Sequence, residues 1–308
     1  MNNSNLNIDN IKVSIIIPAY NSEKTIEKAI RSALQQTYSD FEIIIVDDAS
    51  TDKTKKIINS FEDSRIIYLK HKKNSGGPAK SINTGIKNSK GDYIAILEND
   101  DEWLPTKLEK QLELYEKISS FVGLVSCNVA YINNNTKKIK KYKKNIRNKI
   151  FIESLKRCTV HSLSSVLIKK EVFNEVGLFD ERIKIAADID MYIRIFKKFE
   201  FDFVDCVLFK KHIHKNNLSR LESSILLKTL DKEIILKKNI TDYKKYPEAF
   251  SIINRKIASG HCFAGNVEKG KKYYLKSIKI NSYNIKAYIY LFISLFGYKF
   301  FQRIYKMQ

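Results

Sequence analysis

The chain has 308 residues, 44% of them apolar, with ten glycines and four prolines. That composition supports a packed core and excludes collagen-like and linker-rich architectures. At about 150 residues per domain the length fits one large domain, or one with a smaller companion. Fifty-five Lys/Arg against 34 Asp/Glu give a formal charge of +21, which suits phosphate-rich partners: nucleic acid, an anionic membrane surface or a phosphorylated substrate.

The N-terminus, "MNNSNLNIDN", has no basic segment followed by an apolar one, so no signal peptide is expected. "KVSIIIPAYN" (12–21), "FEIIIVDDAS" (41–50), "RIIYLKH" (65–71) and "DYIAILEND" (92–100) read as strands. Amphipathic helices are expected between them at 22–36, 51–61 and 78–90. Strand, helix, strand at this pace means βαβ units and a mostly parallel sheet, an α/β fold. The near-continuous Ile/Val runs fit strands covered on both faces. "FVGLVSCNVAYI" (121–132) reads as a further strand and the basic run "KKIKKYKKNIRNK" (137–149) as a loop. A strand and helix stopped by Gly177 follow at 164–180, a helix at 188–199 and a strand at 201–209. Beyond about residue 218 the pattern is helical only.

In open parallel sheets, ligands bind outside the carboxyl ends of the strands. "PAYNS", "DDAS" and "ENDDE" end the first, second and fourth strands, so these clusters are expected to converge on one crevice. Alternation places Glu98 and Asp100 on the same side of the chain as it leaves the sheet. Crowded carboxylates raise one another's pKa and call for a cation. Oxygen ligands without His or Cys suit Mg2+ or Mn2+. The plain alternative is an acidic turn in which Asp101 or Glu102 caps the helix "LPTKLEKQLELYEK", with Pro105 in its first turn. No G-x-G-x-x-G follows the first strand and no G-x-x-x-x-G-K-[ST] occurs, which argues against a dinucleotide fingerprint and a P-loop. "NSGGPAKSINTG" (74–85) is either a phosphate-facing loop or a plain tight turn.

In order, "VSIIIPAYN", "IIIVDDASTDKT", "NSGGPAKSINTGI", "GDYIAILENDDEWLP", "AADIDMYIR" and "HIHKNNLS" closely resemble the family 2 glycosyltransferases over about residues 11–220. The resemblance implies a GT-A nucleotide-sugar fold in residues 1–218 and leaves 219–308 as a helical C-terminal region. It implies that Pro18, Ala19, Tyr20, Asn21, Asp47, Asp48, Lys80 and Asn99 hold the nucleotide. Chemically, a carboxylate accepts from the imide N–H of uracil, and Tyr20 flanks the base. The family's D-x-D falls on Glu98, Asn99 and Asp100, with Glu98 departing from the pattern. Asp100, Glu98 and His214 are the implied contacts to Mn2+ or Mg2+, and Asp101 a second contact. The catalytic acid pair falls on Ala187 and Asp188, again without its first acid. Asp188 resembles the general base toward the acceptor hydroxyl, with Asp190 as competitor for that role and simple helix capping as the plain alternative. Trp103 joins Asp101 and Asp190 on the acceptor side. His212 and His214 share one face of an extended segment, and Lys211 and Lys215 can offset phosphate charge.

The implied reaction is single displacement with inversion, from a nucleotide-sugar donor to a hydroxyl of a glycan or lipid-linked acceptor. The rivals are a sugar-phosphate nucleotidyltransferase, a basic nucleic-acid-binding protein and a degenerate nucleotide-binding homologue. The first lacks its glycine-rich phosphate loop after the first strand, and the second lacks a recognisable motif, so no nucleic acid partner is expected. Four cysteines without C-x-x-C spacing fit a reduced cytoplasmic chain. From residue 211 onward there are 20 Lys/Arg and 6 Asp/Glu. "AYIYLFISLFGY" (287–298) falls short of the ~20 residues that span a bilayer. It reads as a packed helix or as an interfacial one, with Tyr288, Tyr290, Tyr298, Phe300 and Phe301 at headgroup depth. The second reading places peripheral membrane contact through this basic region at the inner face of the cytoplasmic membrane.

Overall fold

A computed structural model describes residues 12–133, 136–213 and 221–306. The described residues of Met1–Asn148, Val160–Glu181 and Arg194–His214 form one compact unit, and those of Lys149–Thr159, Arg182–Ile193 and Lys215–Gln308 a second.

The elements begin with β1 (Val13–Ala19), α1 (Ile26–Leu34), β2 (Phe41–Asp47), α2 (Thr54–Ile58), β3 (Ile66–Lys70), α3 (Ala79–Asn88) and β4 (Tyr93–Ile96). β5 (Asp101–Trp103), α4 (Lys107–Lys117), β6 (Val122–Asn133), β7 (Thr136–Lys140) and α5 (Ile150–Lys156) follow. Then come β8 (Leu167–Lys169), α6 (Val172–Val176), α7 (Ala187–Lys198) and β9 (Glu200–His212). All the strands lie in the first unit, in one sheet of order β3-β2-β1-β4-β8-β6-β9-β5, with β7 on β6.

β1 to β4 pair parallel, and every residue of β1 and β2 is buried, as their Ile/Val runs predict. In α1 the apolar Ile26, Ala29, Ile30 and Ala33 fall at helical spacing and are all buried. Two expectations are corrected. The basic run is not a loop throughout: Thr136–Lys140 pairs antiparallel with β6, an edge strand whose lysines keep it solvated. Neither Asp101 nor Glu102 caps α4, because both belong to β5, paired with β9, and the N-cap position is Thr106.

The second unit adds α8 (Ser224–Lys238), α9 (Ile240–Lys245), α10 (Pro247–Phe263), α11 (Val267–Ile280), α12 (Ile285–Ser294) and α13 (Tyr298–Lys306). Its core gathers Ala258, Cys262, Phe263, Tyr274, Ala287, Tyr290 and Phe301. Tyr290 and Phe301 are therefore packing residues, not headgroup contacts, because their rings close the interface between α12 and α13.

Gly91 lies between α3 and β4, and its N–H donates to Ser14 Oγ at 2.9 Å. A β-carbon there would lie 2.6 Å from the backbone nitrogen of Ser14 and 2.7 Å from the carbonyl carbon of Val13. The central strand cannot yield as a flexible side chain would. Gly91→Ala is expected to cost ~1–3 kcal/mol, as overpacking does. Thermal unfolding should show a melting point several degrees lower, and an unchanged one would contradict the close approach.

Candidate active site

The ends of β1, β2 and β4 are tied together. Asn99 Nδ2, after β4, donates to the carbonyl of Pro18 at 2.9 Å. The Asp48 N–H donates to the Ala19 carbonyl at 2.8 Å. Asn21 N–H donates to Ser50 Oγ, and Asn21 Oδ1 accepts from Thr51 N–H, both at 2.9 Å. This requires left-handed backbone at Asn21 (φ +46°) and at Ala49 (φ +65°). Asn visits that region readily, whereas Ala there is uncommon and costs about 1 kcal/mol or more.

Both aspartates after β2 are buried and already bonded. Asp47 Oδ1 accepts from Ser50 N–H and Oδ2 from the Tyr68 hydroxyl, both at 2.7 Å. Burial first, then that bond to Asp47, raise the Tyr68 pKa. Asp48 Oδ1 lies 2.7 Å from His71 Nδ1, and Oδ2 accepts from both N–H and Oγ of Ser75 at 2.8 Å. His71 Nε2 in turn lies 2.9 Å from Thr84 Oγ1 of α3. Asp48 therefore joins the ends of β2 and β3 to the glycine-bearing loop.

The carboxylates after β4 have a cation supplied by the protein. Lys211 Nζ, on β9, lies 2.7 Å from Glu98 Oε2, 3.4 Å from Asp101 Oδ2 and 3.0 Å from Ser162 Oγ. Ser162 Oγ also donates to Glu98 Oε2. Ser164 Oγ accepts from Glu98 N–H at 3.0 Å and donates to Asp101 Oδ2 at 2.6 Å. Burial acts to raise the Glu98 pKa, but the charge and hydrogen bond of Lys211 outweigh it and hold the carboxyl below its ordinary value. Asp101 is 1% exposed, and burial, opposed by Lys211 and reinforced by Glu98 and Asp100, pushes its pKa up to about 8. Among the described residues its Oδ1 has no hydrogen-bond partner. Burial acts to lower the Lys211 pKa, but Glu98 and Asp101 win and raise it. Glu102 points elsewhere, to the ammonium groups of Lys28 and Lys210 at 2.8 Å and to the His212 ring at 3.3 Å. Burial opposes them, yet their bonds bring its pKa down to about 2. Asp100 is half-buried at the tip of this loop.

A buried polar platform supports the serine turn. Trp103, 2% exposed, donates its ring N–H to the Ser164 carbonyl at 2.8 Å, so it bears on the site through that turn. Gln111 Nε2 donates to the Ser165 carbonyl at 2.9 Å, and its Oε1 accepts from Lys107 Nζ at 2.7 Å. Lys107 is fully buried, with its ammonium 4.1 Å from the Trp103 ring centre, and burial lowers its pKa to about 8.

Asp188 and Asp190 lie in the first turn of α7, within the second unit. Asp188 Oδ1 accepts from Ile189 N–H at 2.8 Å, and Asp190 is buried against Lys238 Nζ at 2.8 Å. The buried Asp231 of α8 accepts from the N–H groups of Lys184, Ile185 and Ala186 at 3.0, 2.7 and 3.0 Å. These are the residues just before α7, so Asp231 fixes where the helix begins.

Of the residues expected at the nucleotide, Pro18, Ala19, Asn21, Asp48 and Asn99 are joined by the bonds above. Tyr20 is 49% exposed, so its ring is not part of the core. Lys80 is exposed in the first turn of α3. His214 and Lys215 lie outside the described residues. Lys211 spends its charge on carboxylates of the chain. His71, Ser75, Ser162 and Ser164 were not among the expected site residues. His71 could have been found, since it ends the third strand just as the other clusters end theirs. Ser162 and Ser164 carry no periodic or motif signal.

The raised Asp101 pKa has a consequence for stability. The folded value exceeds the ~3.9 of an unfolded chain, so the folded state holds the proton longer. The associated stability is complete below about pH 4 and is lost as the pH rises toward 8. Asp101→Asn removes this titration. Between pH 5 and 8 wild type should lose stability relative to the variant, by at most ~1.4 kcal/mol per pH unit. Parallel denaturation profiles would contradict the assignment. Asp231→Ala strips three N–H groups of their acceptor and should cost ~3 kcal/mol, while Asn, which keeps one acceptor oxygen, should cost less. Equal losses would remove the anchoring role.

Comparisons with known proteins agree on a family. The Glycosyl transferase family 2 profile matches residues 14–177. An uncharacterized glycosyltransferase of Rickettsia typhi is 31% identical over 311 residues, covering 91% of this chain and 96% of its own. An Escherichia coli protein named UDP-Glc:alpha-D-GlcNAc-diphosphoundecaprenol beta-1,3-glucosyltransferase WfaP is 50% identical over 104 residues, 34% of this chain and 41% of its own. The mannosyltransferase PcManGT of Pyrobaculum calidifontis, solved with GDP-Man and Mn2+, superimposes with a TM-score of 0.61 at 18% identity, over 87% of this chain and 75% of that one. That likeness bears on the fold, which is GT-A with a helical C-terminal region. Since the profile spans more than half of the 308 residues and the Rickettsia relative nearly all of them, the chain belongs to glycosyl transferase family 2 and is a glycosyltransferase.

Proposed function

We propose that the enzyme transfers a sugar from a UDP-sugar to a hydroxyl of a lipid-linked glycan, by a single inverting displacement. The observation that carries this reading is the joining of three strand ends by Asn99, Asn21 and the Asp48 N–H, with exposed Tyr20 beside them. Such a gathering of strand ends suits a nucleotide at the carboxyl edge of a parallel sheet. The UDP donor and lipid-linked acceptor are supported by the activity that the E. coli relative's name states.

The acids of this loop differ in how well they fit a divalent cation. Glu98 is neutralised by Lys211, Asp101 is buried with a raised pKa, and Glu102 is committed to Lys28 and Lys210. Asp100 is half-buried at the tip of the same loop, at the last position of the D-x-D-like segment. One carboxylate is enough for Mg2+ or Mn2+, which take their other ligands from phosphates and water. We assign the cation to Asp100, and Glu98 to Lys211; a metal on Glu98 would first have to displace the ammonium. The cation, when bound, supplies positive charge at the donor diphosphate.

In this reading Asp188 accepts the proton of the acceptor hydroxyl. The partial positive charge of the α7 N-terminus favours its ionised form. Asp231 holds α7 in register without touching substrate. Asp188→Asn should lower the transfer rate by about 100-fold or more while the UDP dissociation constant changes less than about twofold. Transfer at the wild-type rate would reject Asp188 as base, and loss of UDP binding would place it in the donor site.

A further inference from the structure

We propose that α12 and the start of α13 form a docking surface for an anionic lipid bilayer. α12 has two opposite uncharged sides. One side, Ala287, Tyr290 and Ser294, is buried within the second unit's helices. At 100° per residue, the exposed Ile285, Tyr288, Ile289, Phe292, Leu295 and Phe296 cover the opposite arc of ~120°. A solvated helix carries charge on its outer arc, yet α12 has no charged residue after Lys286. Phe292 is 62% and Phe296 58% exposed. Their ring centres are 5.2 Å apart, and Phe300 of α13 lies 5.3 Å beyond Phe296. The turn at Gly297, with φ +87°, lets this exposed ladder continue from one helix to the next. A contiguous exposed apolar array marks an interaction site, not scattered surface residues.

Charge identifies the occupant. Residues 269–308 contain nine Lys/Arg and no Asp/Glu. Lys286 and Lys299 flank the array, and Arg303 follows on α13. An anionic surface complements this distribution, whereas a second copy would oppose like charges. The twelve uncharged residues 287–298 fall short of the ~20 needed to cross, and among the described residues no helix is long and apolar enough to do so. Aromatic and aliphatic side chains on one arc, with cations at its margins, suit a helix lying in the headgroup region. The proposal deepens the lipid-linked acceptor reading, but its test does not depend on transfer.

Full-length protein is sedimented with vesicles of phosphatidylcholine, with and without phosphatidylglycerol. Wild type should co-sediment with the phosphatidylglycerol vesicles and be released by high salt. Phe292→Glu with Phe296→Glu, both at exposed positions, should abolish binding with the far-UV spectrum intact. Lys299→Glu with Arg303→Glu should weaken it about tenfold or more. UDP binding on the same samples reports the donor site separately and should be unchanged in both variants. Wild type that stays in solution, or a Phe variant that sediments like wild type, would overturn the proposal. So would a concentration-dependent dimer dissolved by the Phe substitutions, since that assigns the face to a second copy.

Discussion

The architecture of the acidic loop depends on one ammonium. Without Lys211, half-buried Glu98 and buried Asp101 would face each other with only serine hydroxyls between them. Like charges in such a setting force protonation or movement. Lys211 can reach both because β9 runs antiparallel beside β5, in the register that pairs Lys211 with Asp101. The sheet edge, the serine turn and the carboxylates therefore form one unit of structure. Its two acids titrate in opposite directions, Glu98 held ionised and Asp101 held protonated further toward neutral pH.

A related device recurs with side-chain and backbone donors. Asp48 gathers His71 and Ser75, and Asp231 gathers three consecutive N–H groups ahead of α7. In each case a buried carboxylate fixes a segment that lacks regular structure of its own. Buried charges are costly to strand, so each of these contacts tolerates little loosening. Asp231 also gives part of the helical C-terminal region a defined task, to set the start of the helix that carries Asp188.

The fold was legible because its signals are periodic. Ile/Val runs separated by amphipathic segments require a covered parallel sheet, and α1 buries the stripe its spacing predicts. The gathering of strand ends was legible from topology. The partner of the carboxylates was not, since Lys211 lies 113 residues from Glu98 and pairs with it only through strand register. Lys107 was hidden for a related reason. A lysine in an amphipathic helix reads as surface, and the Trp103 ring, Gln111 and the Val166 carbonyl make its burial tolerable. The C-terminal stretch at 287–298 read as either packed or interfacial. α12 packs one side, through Tyr290, and leaves Phe292 and Phe296 exposed on the other, so the two readings describe different faces of one helix.

The central proposal is a division of labour, with Glu98 paired to Lys211 and Asp100 reserved for the donor's cation. A crystal structure with UDP-sugar and Mn2+ tests it directly. The account predicts the metal within about 2.2 Å of an Asp100 oxygen, with the Lys211–Glu98 contact still near 2.7 Å. Metal bound to Glu98, with Lys211 swung away, would contradict it.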